Sequence, residues 1–369
     1  MFPRIKQSVL SKSLLSSLEV LVSNTIIKLL LEHNADIEAA GNKCGWTPLI
    51  TACIHNNDVA VKYLLENHAN PNATDQQGCT PIFHTVKMNG SISILQLLLQ
   101  YNANIEAANS DGRTPLLEAC YRCDYVIAKF LLDNDANPSA VDNQGSRSLH
   151  LVCRTKRKMT VALIELLLQY HANIEAVNEG GRTPLMKACA YSNLNTIKCL
   201  LNHDANIEAV DPVGRTPLIT ACESNRPDTI KCLLDHHANI EAVDGRGWTP
   251  LIAACEKNNL DAIKCLLDHY ANIEAVDRRG STPLIAACES NKPDAIKCLL
   301  DHYANIEAVD GRGRTPLITA CEKNNLDALW KKPSFGNYSE GINAFGCTLG
   351  VINAWSIKNF DTIRAIIIS

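Results

Sequence analysis

The feature that most constrains the fold is a Thr-Pro-Leu motif, or a close relative of it, that recurs along most of the chain. Successive motifs start 33 to 36 residues apart, and the degenerate copy Arg147-Ser148-Leu149 fills the one gap in the series. A period this regular indicates one supersecondary unit stacked many times, rather than two or three unrelated domains. The other starts are Thr47, Thr80, Thr114, Thr183, Thr216, Thr249, Thr282 and Thr315.

Each unit predicts two short helices followed by a turn, as the copy that begins at Thr216 illustrates. Thr216 is a good N-cap, and Pro217 suits the first helical position, where its missing N–H costs nothing. Asn225 tolerates the left-handed backbone that ends many helices. Helices of about eight to ten residues are not stable alone in water, so the units must bury their apolar stripes against one another. In this copy the stripe of the second helix is Ile230, Leu233 and Leu234.

The unit GxTPL–AxC–(N/G)–IxxLL–AxxxA resembles the ankyrin repeat, and the resemblance covers about residues 13–328. It implies an all-α solenoid, in which a hairpin-like finger follows each pair of helices. In that fold the fingers and the first helices line a concave face. We therefore expect a degenerate N-terminal capping repeat at 1–46, a repeat array at 47–328, and a diverged C-terminal cap or tail at 329–369.

Two departures from the ankyrin pattern concern hydrogen bonding and backbone geometry. The family's Thr-Pro-Leu-His ends in isoleucine in most copies here, and only His150 keeps the histidine. The family glycine after the second helix is replaced by Asn, Asp, His or Tyr. If these positions are left-handed, we expect Tyr270 and Tyr303 to be the most strained.

The composition argues against several classes of protein. A net charge of −4 predicts no protein-wide basic surface for nucleic acid or for an anionic membrane. The sequence has no run of about 18 apolar residues, so no membrane-spanning helix is predicted. Sixteen cysteines without a clean apolar signal core favour reduced thiols, so we expect a cytoplasmic protein, with the nucleus as an alternative. The Ser-rich N-terminus also weakly resembles a mitochondrial transit peptide.

Cysteine and histidine recur with the spacing Cys-x9-Cys-x3-His, which raises the question of metal binding. One copy holds Cys222, Cys232 and His236. A closed zinc site needs four ligands, and each unit offers only three, on two helices. Core packing explains the cysteines, and a histidine is favourable near a helix C-terminus. We therefore predict no metal site and no cofactor, including at the Cys-x2-Cys pair Cys120 and Cys123.

No catalytic residue is predicted, because the chain has no Gly-rich phosphate loop, nucleophile elbow or HExxH motif. The Asp and Glu residues repeat with the unit, which is typical of solvated turns and caps. A basic cluster of four residues lies around a three-residue insertion between the helices of one unit, where it fits a solvated loop, a nuclear-import patch or a contact with an acidic partner. Its members are Arg154, Lys156, Arg157 and Lys158.

Binding specificity is expected at two positions of the unit whose residue type changes from copy to copy. One precedes the capping Thr and the other lies four residues after it, and the resemblance places both on the concave face. Trp and Arg often anchor protein interfaces. Residues 216–262 and 282–328 differ at only six of 47 positions, so specialisation is expected mainly in the units before them. The candidate partner-binding residues are Trp46, Arg113, Arg182, Arg215, Trp248, Arg314, His84, Glu118 and Lys187.

The resulting prediction is a non-catalytic, monomeric scaffold that binds an unidentified protein partner on its concave face, and neither nucleic acid nor membrane. Two alternatives stay open. One is a metal- or redox-responsive protein that uses the repeated Cys/His rows. The other is an adaptor fragment of a larger enzyme.

Overall fold

The computed structural model describes residues 25–330, apart from residues 41, 42 and 192. Predictions for residues 1–24, within the expected N-terminal cap, and for 331–369, within the expected C-terminal cap or tail, lie outside this part. The described chain contains α-helices and connecting turns and no strand, so the predicted all-α class is confirmed. None of the described helices is long and apolar enough to cross a membrane.

The helices follow one another in pairs, after a helix α1 that covers residues 25–32. The first helices of the pairs are α2 Pro48–Ile54, α4 Pro81–Lys87, α6 Pro115–Arg122, α8 Ser148–Cys153, α10 Pro184–Tyr191, α12 Pro217–Glu223, α14 Pro250–Lys257 and α16 Pro283–Glu289. The second helices are α3 Asp58–Glu66, α5 Ile92–Gln100, α7 Tyr125–Asp133, α9 Thr160–Gln169, α11 Leu194–Asn202, α13 Pro227–Asp235, α15 Leu260–Asp268 and α17 Pro293–Asp301.

The first helices begin where the Thr-Pro-Leu motif predicts. In the unit that starts at Thr249, the threonine Oγ1 accepts a hydrogen bond from the backbone N–H of Ile252 at 3.3 Å, and Pro250 is the first helical residue. The same cap recurs in the other Thr-Pro units. In the degenerate copy, Nδ1 of His150 accepts from the N–H of Arg147 at 3.2 Å instead. The histidine therefore satisfies the N–H of the N-cap residue, a different donor from the one that the threonine satisfies in the other units.

The core consists of aliphatic and cysteine side chains between stacked helices. Each of α2 to α16 packs against the corresponding helix of a neighbouring unit, and the two helices of a unit pack against each other. The predicted core role of the cysteines is confirmed, since Cys120, Cys222 and Cys255 are fully buried. Such packing supplies the stability that short single helices lack.

The positions after the second helices are left-handed, as expected from the family glycine that they replace. Their φ angles lie between 60° and 65°. Asn, Asp and His tolerate this region better than Tyr does. Tyr270 and Tyr303, both with rings exposed to solvent, are thus the strained members of the series. The full set is Asn34, His68, Asn102, Asp135, His171, Asp204, His237, Tyr270 and Tyr303.

The recurrent aspartate of the finger is buried, which corrects our expectation of a solvated turn. Oδ1 of Asp277 accepts hydrogen bonds from the backbone N–H groups of Arg279 at 2.8 Å and Ser281 at 2.9 Å. The carboxylate thus satisfies two donors that the tight turn would otherwise leave without a partner. Equivalent buried aspartates are Asp75, Asp142, Asp211, Asp244 and Asp310.

The finger glutamates are also not merely solvated, because they link adjacent units. Oε1 of Glu241 accepts from the backbone N–H of Asn272 in the next unit at 2.7 Å. Backbone hydrogen bonds join neighbouring fingers as well, for example from Gly245 N–H to the carbonyl oxygen of Val213 at 2.8 Å. The fingers therefore form a continuous hydrogen-bonded edge over these units.

The last described helix differs from the expected helix–turn. The sequence EKNNLDA occurs at 256–262 and again at 322–328. In the first copy Asn258 is left-handed and ends α14, whereas in the second copy a single helix, α18, runs over Pro316–Trp330. The side chain of Asn258 accepts a hydrogen bond from the N–H of Ala295 in the next unit. The following unit therefore stabilises the end of α14 at Asn258. The local sequence alone does not end the helix, because the same sequence is helical throughout in the second copy.

Candidate functional site

The two variable positions of the unit lie side by side on one face. In the unit that begins at Thr114, Nη1 of Arg113 lies 3.6 Å from Oε2 of Glu118. One unit earlier, the ring of His84 meets the ring of Trp46 edge to face, with 5.9 Å between centroids. Finger residues and first-helix residues therefore share this face, both within a unit and between neighbours.

Trp46 is half-buried and lines an apolar cavity of about 650 Å³ at the N-terminal end of the described chain. Helix α1 supplies one wall, through Ile26 and Leu30, which remain more than half exposed. Helices α2 and α3 supply the opposite wall, including Leu64. The tryptophan therefore joins this cavity to the ring of His84.

His84 is buried and bound to the finger of its own unit. Its Nε2 donates a hydrogen bond to Oδ2 of Asp75 at 2.9 Å. Burial lowers the pKa of His84, with the hydrogen bond to Asp75 acting in the opposite direction. The buried thiol of Cys79 lies beside this pair, and burial raises the pKa of that thiol to about 11. The histidine is thus a neutral, interior group at neutral pH.

Arginine and tyrosine side chains alternate across three consecutive units. The guanidinium carbon of Arg113 lies 4.4 Å from the ring centroid of Tyr121, at the end of α6. Arg154, which follows α8, lies 5.9 Å from the rings of both Tyr121 and Tyr191, the latter at the end of α10. Each tyrosine is 40% exposed, so the cation–π contacts lie at the surface.

Arg182 and Lys187 add further positive charge to the same units. Both side chains are half-buried, and no ion pair involves either of them in the part of the chain that the structure describes. Burial lowers the pKa of Lys187, and the charges of Arg182 and Arg154 lower it further. Positive charge is therefore concentrated here. We name Arg113, Tyr121, Arg154, Arg182, Lys187 and Tyr191 the Arg–Tyr surface.

The arginines of the later units are neutralised instead. Arg215 contacts Asp211 at 2.7 Å and Glu223 at 3.1 Å. Arg314 contacts Asp310 and Glu289, both at 2.7 Å. Glu223 and Glu289 end their first helices, where Tyr121 stands in the earlier unit. The charge of this face thus changes along the array, although the backbone repeats.

Trp248 is placed in the interior rather than at an open surface. It is 8% exposed and packs in an apolar cluster with Ile219, Ile252, Ala253 and Ala286. The guanidinium of Arg246 lies over its ring, with 3.3 Å from Cζ to the centroid. The indole therefore contributes to the packing between neighbouring units.

The repeated Cys/His rows occupy core and helix-end positions, as the packing interpretation predicts. Cys222 is fully buried, and burial raises the pKa of its thiol well above the ordinary value. The Nδ1 atom of His236 donates to the backbone carbonyl oxygen of Cys232 at 2.7 Å, and the equivalent histidines do the same. Cys123 is the left-handed residue that ends α6. The row histidines therefore cap helices.

Sequence reasoning missed Tyr121, Tyr191 and the side-by-side arrangement of Asp75 and Cys79. A signal for the tyrosines exists seven or eight residues after the capping position, at the end of the first helix. Seven residues after the cap the middle units have Tyr121, Arg154 and Ala190, with Tyr191 one residue further, whereas the later units have Glu223, Glu256 and Glu289. For the Asp75–Cys79 pair no comparable signal exists, because the aspartate is present in most units.

Comparisons with known proteins agree with this architecture. The family described as ankyrin repeats (3 copies) matches overlapping segments that together span residues 20–331. The human SH3 and multiple ankyrin repeat domains protein 2 is 29% identical over 168 residues, which are 46% of this chain and 7% of that protein. A putative ankyrin repeat protein L92 of Acanthamoeba polyphaga mimivirus is 30% identical over 182 residues, 46% of this chain and 41% of the relative.

A third relative, human transient receptor potential cation channel subfamily A member 1, is 38% identical over 71 residues, 19% of this chain and 6% of the channel. The chain thus covers less than half the length of each of these relatives, and their likeness to it is that of a repeat array. Because the family match extends over most of the sequence and the described units have the expected helix pairs and fingers, the chain belongs to the ankyrin-repeat family.

Proposed function

We propose that this chain is a non-catalytic scaffold that binds a partner protein on its fingers and first helices, with the Arg–Tyr surface at the centre of the interface. Ankyrin repeats generally act as protein–protein interaction modules. The observation that carries the proposal is the contrast in charge between the middle and the later units. Arg182 and Lys187 lack an ion-pair partner among the described residues, whereas Arg215 and Arg314 have two each.

The partner segment that fits this surface is acidic. Burial, together with repulsion from Arg182 and Arg154, lowers the pKa of Lys187, and a carboxylate of the partner near these groups would offset both effects. Arginine and tyrosine are also the residue types that dominate many protein interfaces. Since Tyr121 and Tyr191 are already held against arginine side chains, little conformational freedom is lost when a partner docks.

The other candidate residues are expected to contribute less to partner binding. Trp46 is a half-buried aromatic group at the N-terminal edge and His84 supports it from the interior, whereas Glu118 pairs with Arg113. Arg215, Trp248 and Arg314 stay candidates, but their charges or rings are already engaged within the array. We therefore expect them to contribute less binding energy than the middle units.

We further propose that the scaffold works as a monomer in the cytoplasm. Among the described residues no cysteine forms a disulfide bond, and most of the cysteines are buried. This supports a reducing compartment. Arg154 and Arg157 of the basic insertion contact Tyr121 and the carbonyl oxygen of Arg122, which favours a role in the binding face over a nuclear-import patch.

Affinity capture with the intact chain as bait, followed by cross-linking mass spectrometry on the purified complex, tests this function. The expected result is a protein whose acid-rich segment cross-links to Lys187 and Lys156. Lysines on the second helices, such as Lys198 and Lys231, serve as the internal control because they lie on other elements. A complex that cross-links only through those control lysines contradicts the proposed face.

A further inference from the structure

Three different types of metal-binding side chain meet inside the unit that begins at Thr80. Asp75 belongs to the finger, Cys79 directly precedes the capping threonine, and His84 lies in the middle of α4. Their carboxylate oxygen, Sγ and imidazole nitrogen lie within 4.8 Å of one another, and all three residues are buried. The closest pair, Nε2 of His84 and Oδ2 of Asp75, is 2.9 Å apart.

This cluster is separate from the repeated Cys-x9-Cys-x3-His rows. Oδ1 of Asp75 makes the two backbone hydrogen bonds that every finger aspartate makes, which leaves Oδ2 directed toward His84. A cysteine before the cap and a histidine four residues after it occur together in no other unit. The residues that distinguish this unit are thus a thiol and an imidazole, the donors that zinc prefers in proteins.

We propose that Asp75, Cys79 and His84 form a binding site for one divalent thiophilic metal ion, and that zinc(II) is the ion that this donor set fits. On binding, the thiol of Cys79 releases its proton to solvent and the thiolate coordinates the ion. The proton of neutral His84, which Nε2 donates to Asp75 in the metal-free protein, moves to Nδ1, so that Nε2 coordinates. The ion takes the place of the hydrogen bond between His84 and Asp75, and a water fills the fourth position.

Charge and geometry both favour this assignment. One thiolate and one carboxylate balance the two positive charges of the ion, so the buried site carries no net charge. With metal–ligand bonds of about 2.0–2.3 Å, the ligand atoms of a tetrahedral site lie roughly 3.3–3.6 Å apart. The His84–Asp75 pair at 2.9 Å is slightly closer than this and the whole set lies within 4.8 Å, so the ligand atoms need only small shifts.

Cobalt(II) titration of the intact, reduced protein tests the site, because a cobalt–thiolate bond has a charge-transfer absorption that aqueous cobalt lacks. The expected result is one equivalent of bound cobalt with this absorption, which zinc(II) then displaces. Cys79→Ser should abolish the thiolate absorption, and His84→Gln should weaken cobalt binding by at least about tenfold. Zinc should raise the melting temperature of the natural chain but not that of Cys79→Ser.

Two control variants separate this site from adventitious binding. Cys44→Ser removes an exposed thiol in a neighbouring finger, and His55→Gln removes a histidine outside the cluster. Both should keep the absorption and the affinity. Circular dichroism establishes that each variant is folded, and His84→Gln decides the question if Cys79→Ser is not. No thiolate absorption in the natural chain, or an absorption unchanged by both Cys79→Ser and His84→Gln, overturns the proposal.

Discussion

His150 donates a hydrogen bond from Nε2 to the backbone carbonyl oxygen of Arg182 in the next unit, at 2.9 Å. Its Nδ1 accepts from the N–H of Arg147 at the same time, so the ring must be neutral to make both bonds. Burial lowers the pKa of this histidine below its ordinary value of 6.5. A fully buried side chain therefore joins two units through a protonation-sensitive contact.

This contact predicts a loss of stability in mild acid. Because the folded-state pKa of His150 is depressed, the unfolded chain binds a proton first as the pH falls. The contribution is fully present above about pH 6.5, and it is lost as the pH falls from there through the folded-state pKa. Urea unfolding at pH 7.5 and 5.0 should show a smaller pH difference for His150→Gln than for the natural chain. An exposed-histidine control, His33→Gln, should leave the difference unchanged.

The strained tyrosines predict a stabilising substitution. Tyr270 has a φ of 64° with its side chain 93% exposed, so Tyr270→Gly relieves strain without removing buried surface. The gain is about 0.5–1 kcal/mol, because relief of a left-handed residue outweighs the extra freedom of glycine in the unfolded chain. Thermal and urea unfolding measure it. Tyr270→Ala should give no comparable gain, and an equal gain from alanine would assign the effect to the exposed ring instead.

The buried finger aspartates predict a large loss of stability when one of them is replaced by alanine. Asp277→Ala leaves the N–H groups of Arg279 and Ser281 without their acceptor and removes the contact to the Arg279 guanidinium. We expect a loss of about 2–4 kcal/mol in the free energy of unfolding. The matched control is Asp301→Ala, an exposed aspartate at the end of α17, with a change below about 0.5 kcal/mol. Similar effects at both positions would show that the finger aspartate is not a structural acceptor.

The burial of Trp248 predicts that this residue acts mainly on stability. Trp248→Ala leaves a cavity beside Ile252 and Ala286 and should lower the free energy of unfolding by about 3–5 kcal/mol. Arg182→Ala, at the equivalent position before a capping Thr but only half-buried, should change it by less than about 1 kcal/mol. Urea denaturation of the two variants measures the contrast. Equal, small effects would show that the indole is not part of the core.

The sequence determines the repeat, the caps and the core, because each depends on local spacing. Thr216 followed by Pro217 defines a helix start, and Cys222 is read as a core residue from its place in the unit. The surface could be predicted only as columns of candidate residues. Whether an arginine is available to a partner depends on a carboxylate eight residues away, as for Arg215 and Glu223, or 25 residues away, as for Arg314 and Glu289.

Other features escaped prediction for the same physical reason. The Asp75–His84 contact depends on how a finger folds back over the following helix, and spacing alone does not fix that distance. The continuous helix α18 is the converse case, in which a turn predicted from the local sequence is not formed. Its sequence predicts a turn after a first helix, yet the turn in the identical earlier copy is supported by contacts from the next unit.

The most direct test of partner binding at the Arg–Tyr surface is the dissociation constant of the captured partner's acidic segment, measured by fluorescence anisotropy at two salt concentrations. The double variant Arg154→Ala/Arg182→Ala should bind at least about tenfold more weakly and show a smaller salt dependence. The control Arg278→Ala/Arg312→Ala removes two exposed arginines from other fingers and should bind like the natural chain. Unchanged affinity of the first variant, or equal losses in both, would contradict the proposed interface.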